Sequence, residues 1–276
     1  LLEKSLWNFF LGEKIRFTGP YGHFTLKEAP HTAVFVAGGA GLAPILALLE
    51  QWFQEGRQDT AIFFLGERRF QDIPMAYLPK WLNWQRKHPN FKCVPVLSGA
   101  FRGDNPAELN DVDKEYFRSV SLEDKQIIKE QGLADEQENQ WKGEVGFIGP
   151  LLRKYLSPDP NIMFYLCGPS PMTVTVIDAA ANQLNLTKEN ALFDDFTGTL
   201  TPSVDLIYQK LEIKEKIYSL NIPNADKLIE KIGHILIIQL ILKDKIEESY
   251  RFLEQVREAL GKSGQELESM LLSYKS

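Results

Sequence analysis

Ala33-Val34-Phe35-Val36-Ala37-Gly38-Gly39-Ala40-Gly41-Leu42-Ala43-Pro44 is the stretch on which the reading of this chain turns. Five apolar residues of strand length run into a glycine cluster. An amphipathic pattern follows from about Ala43 to Phe53, with Ile45, Leu48, Leu49 and Trp52 on one face. Glycines let a backbone come close to a ligand, and Pro44, near the first helical turn, lacks only an N–H that would have no partner there. A diphosphate at this helix start is the functional expectation, with Gly38, Gly39, Gly41 and Pro44 around it. A glycine turn between strand and helix also occurs as a plain tight turn, so the motif is weak on its own. No Gly-Lys-Ser/Thr follows, which excludes a Walker phosphate loop.

Outward from this unit, strand-length apolar runs alternate with helical patterns. A strand is expected at Ala61–Leu65, a helix near Met75–Arg86 and a strand at Phe91–Leu97. After an interruption come a helix near Phe147–Tyr155, a strand at Ile162–Leu166, a helix at Met172–Leu184 and a last strand at Ala191–Asp194. The fold class is α/β, a doubly wound five-stranded parallel sheet with a C-terminal helical extension, and such sheets take ligands at the carboxyl ends of their strands. The interruption, residues 99–142, holds six basic and eleven acidic residues and carries most of the chain's net charge of -6. It reads as a solvated excursion, helical around Leu122–Lys129.

Residues 203–276 lack strand signals. Leu228, Ile232, Ile235, Gln239, Leu242, Ile246, Ser249, Leu253, Val256 and Leu260 follow a four-three spacing, a heptad seam broken by two polar residues. It suits a helical hairpin that covers its own domain, or a helix that binds a partner or a second copy of the chain. The expected divisions are residues 1–24, 25–200 and 201–276.

The acidic balance and the lack of a basic stripe argue against a nucleic-acid partner, which would need concentrated positive charge. Two cysteines, Cys93 and Cys167, cannot build a disulfide framework or a four-thiolate cluster, and they suggest a reducing compartment. The apolar run Ile235–Leu242 falls well short of a membrane span. The start, Leu-Leu-Glu, reads as a trimmed fragment without a signal peptide, and the expected location is cytoplasmic. His23, His31, His88 and His234 lack metal-ligand spacing, so no metal is expected.

A second motif, Tyr165-Leu166-Cys167-Gly168-Pro169, ends the fourth expected strand, on the same sheet edge as the glycine loop. Gly168 and Pro169 make a sharp turn that should leave the Cys167 thiol facing the crevice, whereas Cys93 reads as inert packing. Asp194 and Asp195 should point to opposite faces of the last strand and so cannot act as a carboxylate pair.

Seven segments in order carry a specific resemblance. They are Gly19-Pro20-Tyr21-Gly22-His23-Phe24, Gly38 to Pro44, Leu65-Gly66-Glu67-Arg68, Leu97-Ser98, Gly146-Phe147-Ile148, Cys167-Gly168-Pro169 and Phe193-Asp194-Asp195-Phe196. Over about 180 residues the chain resembles the NAD-binding half of the ferredoxin-NADP⁺ reductase superfamily. Within it, the chain is most similar to the F subunit of sodium-translocating NADH:quinone reductases.

The resemblance implies NADH and FAD as cofactors. It implies that Gly39 and Gly41 cradle the diphosphate, that Arg68 and Ser98 face the adenosine side, and that Cys167, Gly168 and Pro169 lie beside the nicotinamide. It gives Phe196 the role of covering the flavin ring. The family holds flavin mainly in a preceding barrel with an Arg-x-Tyr-Ser/Thr motif that is absent here, so residues 1–24 are expected to be only the end of that barrel. A flavin domain or an electron-acceptor subunit is then the implied partner, peripheral at the inner membrane if it resembles the quinone reductase. The reductase component of a bacterial oxygenase and a non-catalytic dinucleotide-sensing module are the alternatives. NADH is expected over NADPH, because no Arg, Ser and Tyr cluster follows the second or third strand, although Arg68, Arg69 and Arg102 stand nearby.

Overall fold

Strands that read as unbroken apolar runs have to be covered on both faces, and the computed structural model shows how this is done. The structure describes residues 22–28, 30–74, 76–99, 111–133, 141–195, 200–239 and 245–274. The expected barrel exit before Gly22, together with Arg102, Phe196 and Leu242, lies outside them.

The strands are β1 (Thr32–Gly38), β2 (Thr60–Glu67), β3 (Phe91–Leu97), β4 (Glu144–Val145), β5 (Ile162–Cys167) and β6 (Ala191–Phe193). They form one parallel sheet in the order β4-β3-β2-β1-β5-β6. The parallel, doubly wound expectation holds, with six strands in place of five. The extra one, β4, has two residues, too short to leave a hydrophobic run in the sequence.

The helices packed on the sheet are α1 (Leu42–Gln54), α2 (Leu78–Lys87), α3 (Asp111–Ser119), α4 (Leu122–Glu130), α5 (Ile148–Tyr155) and α6 (Ser170–Leu184). Alternate strand residues divide between two cores, as a period of two requires. Ala33, Phe35 and Ala37, with Phe63, Tyr165 and Cys167, pack under Ile45, Leu49 and Trp52 of α1 and Trp81 of α2. Val34, Val36, Phe64, Phe164 and Leu166 face the other way, toward Leu152 of α5 and Val176 and Ile177 of α6. The four residues expected on the buried face of α1 are all buried.

The acidic interruption corrects an expectation. Phe117, Ile128 and Trp141 are buried in the first core, with the Phe70 ring centroid 5.6 Å from those of both Phe117 and Trp141 in tilted contacts. Among the described residues Glu115, Arg118 and Glu123 are exposed while single apolar residues between them reach inward, so the described part of the segment covers the sheet and is not wholly solvated.

Beyond the sheet stand α7 (Leu200–Ser219), α8 (Ala225–Ile237), α9 (Ile246–Lys262) and α10 (Gly264–Ser273). Leu206, Ile213, Ile232, Leu236, Phe252, Leu253, Val256 and Leu267 gather into a third core. Helix α7 serves two cores, for Leu200, Val204 and Ile207 pack on the sheet side. A buried ion pair, Lys210 with Asp178 of α6, joins the extension to the sheet domain.

The described seam residues are buried or half-buried in the third core, on two separate helices. Its two polar positions are accommodated there: Gln239 donates to the Tyr274 hydroxyl at 2.7 Å and Ser249 to the Lys245 carbonyl at 2.8 Å. The described apolar seam residues are therefore covered within the chain, while the Gln239 side-chain oxygen is buried without a hydrogen-bond partner among the described residues. Among the described residues no helix is long and apolar enough to cross a membrane.

Candidate dinucleotide-binding site

Strand order reverses at β1: β2 pairs on one side of it and β5 on the other. The chain leaves β1 and β5 toward opposite faces of the sheet, and the gap between the two departing loops is where doubly wound folds admit ligands. Register brings the two motifs to this gap, since Ala37 pairs with Cys167. The Gly39–Gly41 turn then leads into α1, and Gly168-Pro169 leads into α6.

A crevice of about 250 Å³ opens there, lined by Gly38, Ala40, Gly41, Gly168, Pro169, Ser170, Asp194, Asp195 and Leu200. It lies below the ~300–1,000 Å³ usual for whole small-molecule sites, so it suits one part of an extended dinucleotide. The glycines have unequal tasks. Gly39 has φ of +53°, a left-handed conformation, and a Cβ there would meet nothing within 4 Å, so the turn is open at this position. Gly41 is buried, and a Cβ on it would overlap the Cys167 carbonyl and lie 2.5 Å from the Gly168 nitrogen. Gly39 thus has the exposure a phosphate cradle needs, whereas Gly41 lets the two loops touch.

Residues 35–128 match the Oxidoreductase NAD-binding domain family. The chain carries an oxidoreductase NAD-binding domain. Similarity extends past the matched residues. The F subunit of the Na(+)-translocating NADH-quinone reductase of Psychrobacter cryohalolentis is 29% identical over 203 residues, 71% of this chain and 40% of that protein. The reductase component of propane 2-monooxygenase from Mycolicibacterium goodii is 29% identical over 195 residues, 69% of this chain and 45% of that protein. The chain therefore spans less than half the length of these curated relatives. Among solved structures, an Amycolatopsis cytochrome P450 reductase aligns with 64% of this chain and 42% of its own at 21% identity, with a TM-score of 0.45.

Within this NAD-binding domain, Pro44 occupies the first turn of α1, where its missing N–H costs no intrahelical bond. Arg68 follows β2 directly and is exposed at the carboxyl edge. Ser98 follows β3, and its hydroxyl donates to the Glu67 carbonyl at 3.1 Å, which ties the ends of β2 and β3 together. Asp194 and Asp195 both border the crevice. Strand β6 stops at Phe193, so the alternation expected to separate the two aspartates does not reach them. Asp195 accepts from the Thr201 amide at 3.0 Å and so anchors the start of α7.

Cys167 requires the main correction. Its thiol has no exposure and lies in the core under α1, so it is the backbone of the Cys-Gly-Pro turn that borders the crevice. Burial, with Asp194 nearby, pushes the thiol up to about 11. It is neutral at physiological pH and has no thiolate to offer as a nucleophile. Iodoacetamide at about pH 8 should therefore leave Cys167 unlabelled in the native chain and label it in urea; rapid native labelling would contradict this burial. The sign for stability follows from the same shift. The unfolded thiol ionises first, so this residue's contribution is lost as pH rises from about 9 to about 11.

Sequence reasoning alone misses Glu67. It closes β2, is half-buried, and accepts a hydrogen bond from the Gly39 amide at 3.3 Å. Burial, with Asp72 adding like charge, pushes its carboxyl up to about 7. An acidic residue directly after Leu65-Gly66 was the available signal, since the end of β2 neighbours the glycine loop in this topology.

Proposed function

We propose that the chain is the NADH-docking half of a flavin-dependent oxidoreductase and presents the nicotinamide for hydride transfer to FAD. The carrying observation is the meeting of the Gly38–Gly41 and Gly168-Pro169 turns at the point where strand order reverses. The residues fit a dinucleotide: a left-handed glycine with open space beside it at a helix start, next to a narrow crevice walled by backbone, is what a diphosphate needs.

NADH supplies the hydride and a flavin receives it; the chain contributes position. Gly39 offers its amide to the diphosphate, Gly41 holds the two loops in contact, and Arg68 stands at the adenosine side. Cys167 keeps its turn packed and remains a neutral spectator. Phe196 is assigned to the flavin face by resemblance alone. The family's Arg-x-Tyr-Ser/Thr flavin motif does not occur in this sequence, so the flavin site is assigned, by resemblance, to a flavin domain or a partner subunit.

Mixing the purified chain with the flavin domain of a relative, then following ferricyanide reduction by NADH, tests this reading. Turnover supports it, and NADH binding without turnover favours a sensing module. The oxygenase-reductase alternative draws on the likeness to the propane monooxygenase component, and quinone as acceptor draws on the likeness to the quinone-reductase protein. A preference for NADH belongs to the proposal too. Asp72 places negative charge near the end of β2, which opposes a 2′-phosphate. In this assay kcat/KM should favour NADH over NADPH by about tenfold or more, the equivalent of ~1.4 kcal/mol. A preference for NADPH would contradict that assignment.

A further inference from the structure

We propose that Glu67 is a proton-operated gate on the dinucleotide site: its ionised carboxylate holds the Gly39 amide and repels the diphosphate, and its protonation opens the site. The inference rests on the dinucleotide reading of the crevice.

The geometry carries it. Gly39 is the loop residue with a left-handed backbone and open space beside it, and the Glu67 carboxylate accepts from its amide at 3.3 Å. An anion seated on the loop would stand against that carboxylate. Two anions competing for one donor in a half-buried site repel strongly, because screening there is weak. A carboxylic acid, in contrast, carries no charge to repel the diphosphate, holds the amide more weakly and can itself donate a hydrogen bond to a phosphate oxygen.

Ser98 fixes where the gate stands, for its amide and hydroxyl both donate to the Glu67 carbonyl, at 2.9 and 3.1 Å. The charged groups around Glu67 are few. Asp72, from the turn at Phe70–Asp72, adds like charge and favours the protonated form. Arg68 and Arg69 follow Glu67 in sequence, and Asp194 and Asp195 border the crevice beyond the glycine turn. The glycine turn and the end of β3, Leu97-Ser98, bring no ionisable side chain. The titration near 7 places the switch within the physiological range.

Calorimetric titration of NADH into the chain at about pH 6 and about pH 8 tests the gate directly. If only the protonated form binds, the competent fraction falls about tenfold across that interval and Kd rises about tenfold with it. In two buffers of different ionisation enthalpy, uptake should approach one proton per NADH at the higher pH. Glu67→Gln should bind with the same Kd at both pH values, at least as tightly as the unaltered chain at the lower one.

A Kd in the unaltered chain that does not change with pH, or binding without proton uptake, overturns the gate. So does a Glu67→Gln chain that has lost affinity at both pH values, because Glu67 would then be a direct ligand, for example to a ribose hydroxyl. The proton count needs only the unaltered chain and stands even if the variant misfolds. If neither protein binds NADH at either pH, the dinucleotide reading falls and the gate falls with it.

Discussion

Gly41→Ala is expected to lower the melting temperature by roughly 6–12 °C and to remove measurable NADH binding. The added methyl would overlap the Cys167 carbonyl and sit 2.5 Å from the Gly168 nitrogen. Both obstacles are backbone, so no side chain can swing aside. Overpacking costs about 1–3 kcal/mol where neighbours can adjust, and this site belongs at the upper end. At ~2–4 °C per kcal/mol for a chain of this size, the expected shift follows. Binding is lost because relief comes only by parting the loops that frame the crevice. Gly39→Ala is the control: its methyl meets no atom within 4 Å, and the left-handed backbone alone costs about 1–2 kcal/mol. Scanning calorimetry and NADH titration check both variants. Equal losses in the two would show that loop contact is not what Gly41 provides.

Lys210→Met is the second large effect, expected to destabilise the chain by about 3 kcal/mol. The lysine side chain is 8% exposed and its partner Asp178 is 20% exposed. Removing one member of a buried pair costs about 3–5 kcal/mol because the other charge is left without compensation. Asp178 keeps some contact with water, which places the cost at the low end. Replacing both residues, Lys210→Met with Asp178→Leu, should restore most of the loss, since apolar substitutes of similar volume commonly match a buried pair. Urea unfolding of the two single variants and the double variant gives the coupling. A double variant as unstable as the sum of the singles would remove the pair as the join between α6 and α7.

How much of this was legible in the sequence depended on how locally each feature is determined. Strands β1, β2, β3 and β5 are buried on both faces and announce themselves as apolar runs, and the Ile45–Trp52 face of α1 follows from its period. Strand β4 is two residues long and leaves no such trace. The acidic segment misleads because Phe117, Ile128 and Trp141 are scattered among charges, and their burial depends on a sheet edge that local pattern does not show. The tail seam was visible, yet its spacing could not distinguish an internal core from an interface between chains.

At the site, both glycine motifs were readable because turn and helix-start chemistry is local. The orientation of Cys167 was available in principle, since it shares the parity of Tyr165 and so faces α1. The sharp turn that follows it points instead to the crevice, and strand parity outweighs that turn. Glu67 was visible only as an acidic strand end, because its contact with Gly39 spans 28 residues and exists only through the pairing of β1 with β2, where Gly38 and Gly66 are partners.

Backbone amide chemical shifts during an NADH titration test the central claim most directly. If the dinucleotide lies where the strand order reverses, the amides of Gly39, Gly41 and Gly168 shift together with one Kd, and adenosine diphosphoribose reverses the shifts. The polar cavity between Lys92 and Tyr155 on the outer sheet edge stays silent. Shifts confined to that outer cavity, or none at the glycine turns under saturating NADH, would contradict the account.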